Sequence, residues 1–201
     1  FNNTFSNEEI NYSSNIIKIL ENGKIISSEG DVQILIGENI FISSEKFKYD
    51  KKTGLYKIFE NVHFKDKKNN IKASGTEFIL SSFDNKILSK TKAKIFYDET
   101  YDIDLNSFEY DINDQKITSN DFVEIKDNIN NYFELYGFLF DLKTNEFIGK
   151  EIKFIDYQQN KYFLNEVMIN TDNDNLYGKD LNIEFNKSLF GNSNNDPRLK
   201  A

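Results

Sequence analysis

The sequence predicts an all-β domain, an antiparallel meander of about 10–13 strands, and three observations lead there. Polar clusters recur about every 15 residues: "DKKTG" (50–54), "KDKKNN" (65–70), "SFDNK" (82–86), "DETYD" (98–102), "KDNINN" (126–131), "KTNE" (143–146), "DYQQNK" (156–161) and "TDNDN" (171–175). The segments between them, such as "FEYDI" and "FVEIKD", alternate apolar with polar residues, the two-residue period of a strand and not the 3.6-residue period of a helix. Two anchor series interleave: Phe47, Phe78, Phe108, Phe138 and Val167 at steps of 31, 30, 30 and 29, and Val32, Val62, Ala93, Val123, Ile152 and Leu181 at steps of 30, 31, 30, 29 and 29. One repeat is therefore two strands.

In chain order, the N-terminal stretch "NNTFSNEEINYSSNIIKIL" supplies the first edge, with Ile17 and Ile19 on it. In the repeats that follow, Asn61, Gly75, Asn106, Asn120, Gly137, Gly149, Asn165 and Gly178 fall near segment centres, where a flat strand disfavours them. They predict kinks or bulges. The alternation changes phase there: Ile71 and Ala73 give way to Phe78 and Leu80 across Gly75, and Leu135 to Phe138 and Phe140 across Gly137, as one inserted residue requires. Strands bent at their middles fold the meander lengthwise into two facing sheets around a V-shaped hydrophobic channel with two open ends. The inward ladder is Ile58, Val62, Phe64, Phe78, Leu80, Phe108, Tyr110, Val123, Ile125, Phe138 and Phe140. Such a ladder fits the core of any β-sandwich equally well.

Composition removes several function classes. Nineteen Phe and 11 Tyr in 201 residues are too many for an acidic disordered chain. A net charge of −8 without a basic stripe argues against nucleic acid, whose binding needs clustered cations. The absence of cysteine excludes disulfides, thiol catalysis and Cys-ligated zinc. No apolar run approaches the roughly 20 residues of a membrane helix, and "FNNTFSNEEI" lacks the layout of a secretory signal.

Catalytic chemistry finds no foothold either. The single histidine, His63, lies between the inward Val62 and Phe64 and is expected to point to solvent. "DNDNLYGKDLNIE" departs from a calcium loop at Tyr177, where glycine belongs, and at Ile183, where glutamate belongs. The chain has neither a phosphate-binding Gly-rich loop nor an HExxH motif. The sequence therefore predicts a protein that is not an enzyme, with no catalytic residues, metal or cofactor.

The units "GDVQI…IFISSEKFKYD", "ENVHFKD…IKASGTEFIL" and "DQKITSNDFVEI" resemble the OstA repeat of periplasmic lipopolysaccharide-transport proteins, which form a β-taco or β-jellyroll. The tail "NKSLFGNSNNDPRLKA" resembles the segment that joins the periplasmic domain of the LptD family to its outer-membrane barrel, with Ala201 where that family has glycine. The resemblance implies an OstA-like periplasmic domain over residues 1–185 and a linker over 186–201. The chain's only proline, Pro197, and only arginine, Arg198, then mark the place where strand pairing stops. It further implies that the inward ladder contacts lipid A acyl chains of lipopolysaccharide. It implies a periplasmic protein tethered to the outer membrane in its full length, an LptA-like bridge docked at the N-terminal edge, and a barrel with an LptE-like lipoprotein beyond the linker. The alternatives are a free-standing LptA- or LptC-like bridge and a structural β-solenoid with a closed core.

Overall fold

The structure, a computed structural model, describes residues 9–172 and 175–186, and the backbone of 198–200. Its strands are β1 (Ile10–Ser13), β2 (Ile16–Leu20), β3 (Ile25–Ile36), β4 (Ile40–Asp50), β5 (Leu55–Asp66), β6 (Ile71–Ser81), β7 (Lys86–Ser89), β8 (Ala93–Tyr97), β9 (Tyr101–Leu105), β10 (Phe108–Asp111), β11 (Lys116–Asp127), β12 (Tyr132–Asp141), β13 (Glu146–Ile155), β14 (Lys161–Asn170), β15 (Asn175–Lys179), β16 (Asn182–Glu184) and β17 (Arg198–Lys200). A 3-10 turn, Glu21–Gly23, follows β2. Every pairing is antiparallel. The 17 strands exceed the predicted 10–13 because four segments are each split in two, at β1/β2, β7/β8, β9/β10 and β15/β16, so that they occupy 13 segments.

The long strands bend once and serve two half-sheets. The residues of β5 from Leu55 to Phe59 pair in one half-sheet and those from Val62 to Asp66 in the other, with Glu60 and Asn61 bulged between them at φ of 63° and 53°. Gly30 and Asp31 form the same bulge in β3, and Gly137, at φ 62°, forms one in β12. Split segments do the same by breaking: β7 and β10 pair in the first half-sheet, β8 and β9 in the second. The halves face each other, since Tyr12, Phe64 and Tyr97 of the second lie 5.1, 5.8 and 4.7 Å from Phe47, Tyr110 and Phe140 of the first.

The phase changes read from the sequence are present: Ile71, Ala73, Phe78 and Leu80 are all buried, as are Leu135, Phe138 and Phe140. The reason for three of the glycines differs from the predicted one. Gly75, Gly149 and Gly178 do not adopt positive φ; they are small because they line the inside of the crease. A Cβ on Gly75 would lie 2.8 Å from Phe78, one on Gly149 2.8 Å from Leu135, and one on Gly178 would overlap Leu164. Both anchor series meet at this crease, and every anchor except the half-buried Leu181 is buried.

The turns are stacked as well. Corner residues Asn70, Asn85, Gln115 and Asn145 take left-handed φ of 52–55°, which asparagine tolerates better than most side chains. Their carbonyls accept the amides of Asp98, Ile112, Leu142 and Thr171 one repeat on, at 2.9–3.1 Å. The side-chain amides of Asn70 and Asn145 donate to Asp98 and Asp172 at 2.7 and 2.8 Å.

The linker expectation rests largely on residues 187–197 and 201, Pro197 included, which lie outside the described residues. The backbone of Arg198–Lys200 pairs with β16.

Filling the crease is the expected weak point. Gly75→Val drives a side chain into the ring of Phe78, which is fully buried and edge-packed on Phe108 at 5.4 Å. Overpacking of this kind costs about 1–3 kcal/mol. Urea unfolding is expected to show that loss, and a variant of wild-type stability would refute the crease packing.

Candidate functional site

The space between the half-sheets is the candidate site, and its walls follow from strand alternation. Each sequence-predicted lining residue points inward and is buried: Ile58, Val62, Phe78 and Val123 at 0% exposure, and Phe64, Leu80, Phe108, Tyr110, Ile125, Phe138 and Phe140 at 1–5%. They form one continuous apolar cluster. His63 projects outward and is exposed, as its neighbours require.

The interior is not equally open along its length. In the N-terminal repeats the halves touch, and the rim opposite the crease is tied by a hydrogen-bonded knot. The Tyr110 hydroxyl of β10 donates to Asp66 Oδ2 at 2.6 Å, across to the β5–β6 turn. Asn69 Nδ2 donates to both, at 2.9 Å to Tyr110 and 2.8 Å to Asp66, and the Lys68 and Asn69 amides donate to Asp66 Oδ1 at 2.9 and 3.1 Å. A buried carboxylate with four donors is fully satisfied, which is the condition for its burial. Burial and the adjacent Asp66 carboxylate push the Tyr110 phenol well above its ordinary range. Burial does the same to Tyr56, stacked on Tyr49 at 4.0 Å along this rim. The V-shaped channel expected from the sequence is therefore closed here, because large side chains from both halves meet.

Beyond Tyr97 the halves separate around a cavity of about 490 Å³, within the roughly 300–1,000 Å³ of small-molecule pockets. Ile125, Phe138 and Phe140 line it together with Tyr97, Ile103, Phe133, Phe147, Phe154, Ile169 and Leu176. Of the predicted set only those three reach it; the other eight are packed within the seam. Sequence reasoning missed Phe133, Phe147 and Phe154, although the density of aromatics in "NYFELYGFLF", "EFIGKEIKFI" and "KYFLNE" marks this region. Phe133, Phe154 and Tyr162 form a stacked row, with centroids 4.5 and 5.1 Å apart.

Among the described residues, both ends of the seam are uncovered. Ile17 and Ile19 of β2 pair with Ser28 and Ile26 and share their inward face, yet they are 49% and 70% exposed. At the other edge, Leu176 of β15 pairs with Ile169 and is 47% exposed. Within the described residues β2 pairs only with β3, and β15 only with β14.

No protein-family model matches the chain, and no curated protein matches it in sequence. Among solved structures it is similar to LptH from Pseudomonas aeruginosa, described as the LptA homologous periplasmic component of the conserved lipopolysaccharide transport device. That similarity has 14% identity and a TM-score of 0.48, and covers 55% of this chain and 80% of that one.

The rim phenols set an alkaline limit. A phenol whose folded pKa lies above its unfolded value of about 10 contributes stability that is complete below pH 10 and is lost as pH rises, because the unfolded chain releases the proton first. Unfolding free energy is expected to fall above pH 10 by up to about 1.4 kcal/mol per pH unit for each such phenol. Tyr110→Phe is expected to cost about 1.5–3 kcal/mol at neutral pH and to flatten the alkaline slope. An unchanged slope in that variant would show that the knot does not hold the rim.

Proposed function

We propose that the protein is a non-enzymatic conduit for the acyl chains of lipopolysaccharide. The observation that carries this reading is the apolar seam: it crosses every repeat, widens into an aromatic-lined cavity, and runs exposed off both edges of the sheet. A closed structural core has no use for uncovered isoleucines and leucines at its two ends, whereas a conduit that continues into neighbouring proteins needs them. Transfer of about ten methylenes into such a seam is worth roughly 8 kcal/mol, so retention of a lipid requires apolar contact and no chemistry. An entering chain exchanges contacts between the two walls for contacts with itself. The seam can therefore part with little net loss where the rim is not hydrogen-bonded.

The finer reading rests on the sequence. The repeats resemble the OstA unit and the tail resembles the junction to an outer-membrane barrel, so we read the chain as the periplasmic domain of an LptD-like assembly protein. In this reading it is tethered at the outer membrane, takes lipopolysaccharide from an LptA-like bridge docked on β2, and passes it to a barrel accompanied by an LptE-like lipoprotein. A free-standing periplasmic bridge is the second reading, favoured by the pairing of Arg198–Lys200 back onto β16.

A photo-crosslinking residue at Phe138 is expected to capture lipopolysaccharide in cells, and one at Tyr136, which is outward-facing and 48% exposed, is not. Equal capture at both positions, or none at Phe138 in a folded protein, would rule out an internal conduit. Docking by strand addition needs main-chain donors, so the paired substitutions Ile17→Pro and Ile19→Pro are expected to abolish capture of the bridge in a pull-down while circular dichroism stays that of a β protein. Retained capture would place the partner at another surface.

A further inference from the structure

The outer face of the second half-sheet carries a cavity of about 720 Å³ that the conduit reading does not use. Its floor is one cross-strand row, read from the register as Leu35, Phe41, Lys65, Lys72 and Phe96 on β3, β4, β5, β6 and β8. The adjacent row places Ser43, His63 and Ser74 beside it. Lys65 and Lys72 are direct antiparallel partners, with one aromatic ring on each outer side. Lys67, in the following turn, holds its ammonium 4.1 Å from the centroid of Phe41.

Like charges directly opposite each other destabilise a sheet. Three other strand lysines face an acid: Lys94 faces Asp104 at 3.6 Å, Lys153 faces Glu134 at 2.9 Å, and Lys179 faces Glu166 at 2.7 Å. Among the described residues Lys65 and Lys72 form no ion pair, in a chain whose net charge is −8. Two ammonium groups on neighbouring strands suit a doubly charged oxyanion, and the flanking Phe41, Phe96 and Leu35 suit an apolar group attached to it. The lysine pair Lys48 and Lys57 on the first half-sheet lacks this setting, since its neighbours along the ladder are Ser27 and Ile79.

We propose that this outer face binds a phosphate-bearing amphiphile, with Lys65 and Lys72 clamping the phosphate and Phe41 and Phe96 receiving the apolar part. The site lies on the opposite side of the sheet from the seam, so it stands or falls independently of the conduit.

The test is an NMR titration of the isotope-labelled protein with hexyl phosphate, inorganic phosphate and hexyltrimethylammonium. Hexyl phosphate is expected to shift the signals of Phe41, His63, Lys65, Lys72, Ser74 and Phe96 and to bind at least tenfold more tightly than inorganic phosphate; the cation is expected to leave them in place. Substituting both Lys65→Ser and Lys72→Ser is expected to weaken hexyl phosphate binding tenfold or more, and substituting both Lys48→Ser and Lys57→Ser is expected to leave it unchanged. All four positions are exposed, so both variants are expected to fold. Shifts confined to Ile125, Phe138 and Phe140, an equal loss in the two double variants, or equal affinity for inorganic phosphate would each overturn the site. Sedimentation with phosphatidylcholine vesicles, with and without phosphatidic acid, distinguishes the sources of the phosphate. Binding that requires phosphatidic acid and both lysines assigns a membrane headgroup, and its absence alongside tight hexyl phosphate binding assigns a free phosphorylated compound.

Discussion

The crease is the constraint on which the rest of the structure depends. A strand of ten to twelve residues can serve two facing half-sheets only if it bends once, and all the strands must bend at the same height for the halves to close on each other. Repetition at about 30 residues satisfies that condition. It returns Val62, Val123 and Ile152 to one side of the bend and Phe47, Phe78 and Phe138 to the other, all of them buried. Inside the bend there is no room for a side chain at Gly75 and Gly149, where a Cβ would lie 2.8 Å from Phe78 and from Leu135.

Two kinds of fastening keep the folded sheet together. Along the turns, the left-handed corner residues Asn70, Asn85, Gln115 and Asn145 pass main-chain hydrogen bonds from one repeat to the next. Across the rim, the knot of Tyr110, Asp66 and Asn69 joins the halves through buried, charge-assisted hydrogen bonds, which are stronger than neutral ones. The exposed ion pairs of the outer face, such as Lys46 with Glu60 at 2.8 Å, contribute little by comparison.

The uneven opening of the interior is what gives the protein its capacity to hold something. Large residues from both halves fill the N-terminal repeats, and the Tyr110 knot seals their rim. From Tyr97 onward the aromatic rings stack along their own half-sheet, as Phe133 does on Phe154 and Phe154 on Tyr162. Rings stacked along one wall do not reach the other, and a cavity remains between them.

The sequence by itself determined the strands, their inward phase, the repeat and the exposed N-terminal edge, because alternation and turn chemistry are local and a 30-residue period is visible without coordinates. All eleven residues of the predicted inward ladder are buried in one apolar cluster. The sequence did not reveal that eight of them touch while Ile125, Phe138 and Phe140 border open space, nor that Tyr110 finds Asp66 from 44 residues away. It also did not show that Lys65 faces Lys72, since that pairing is set by where the β5–β6 turn closes, at Asp66 against Ile71. The tertiary structure decided these, because the gap between two half-sheets is set by the summed volumes of side chains from distant repeats and by the offset with which those repeats face each other.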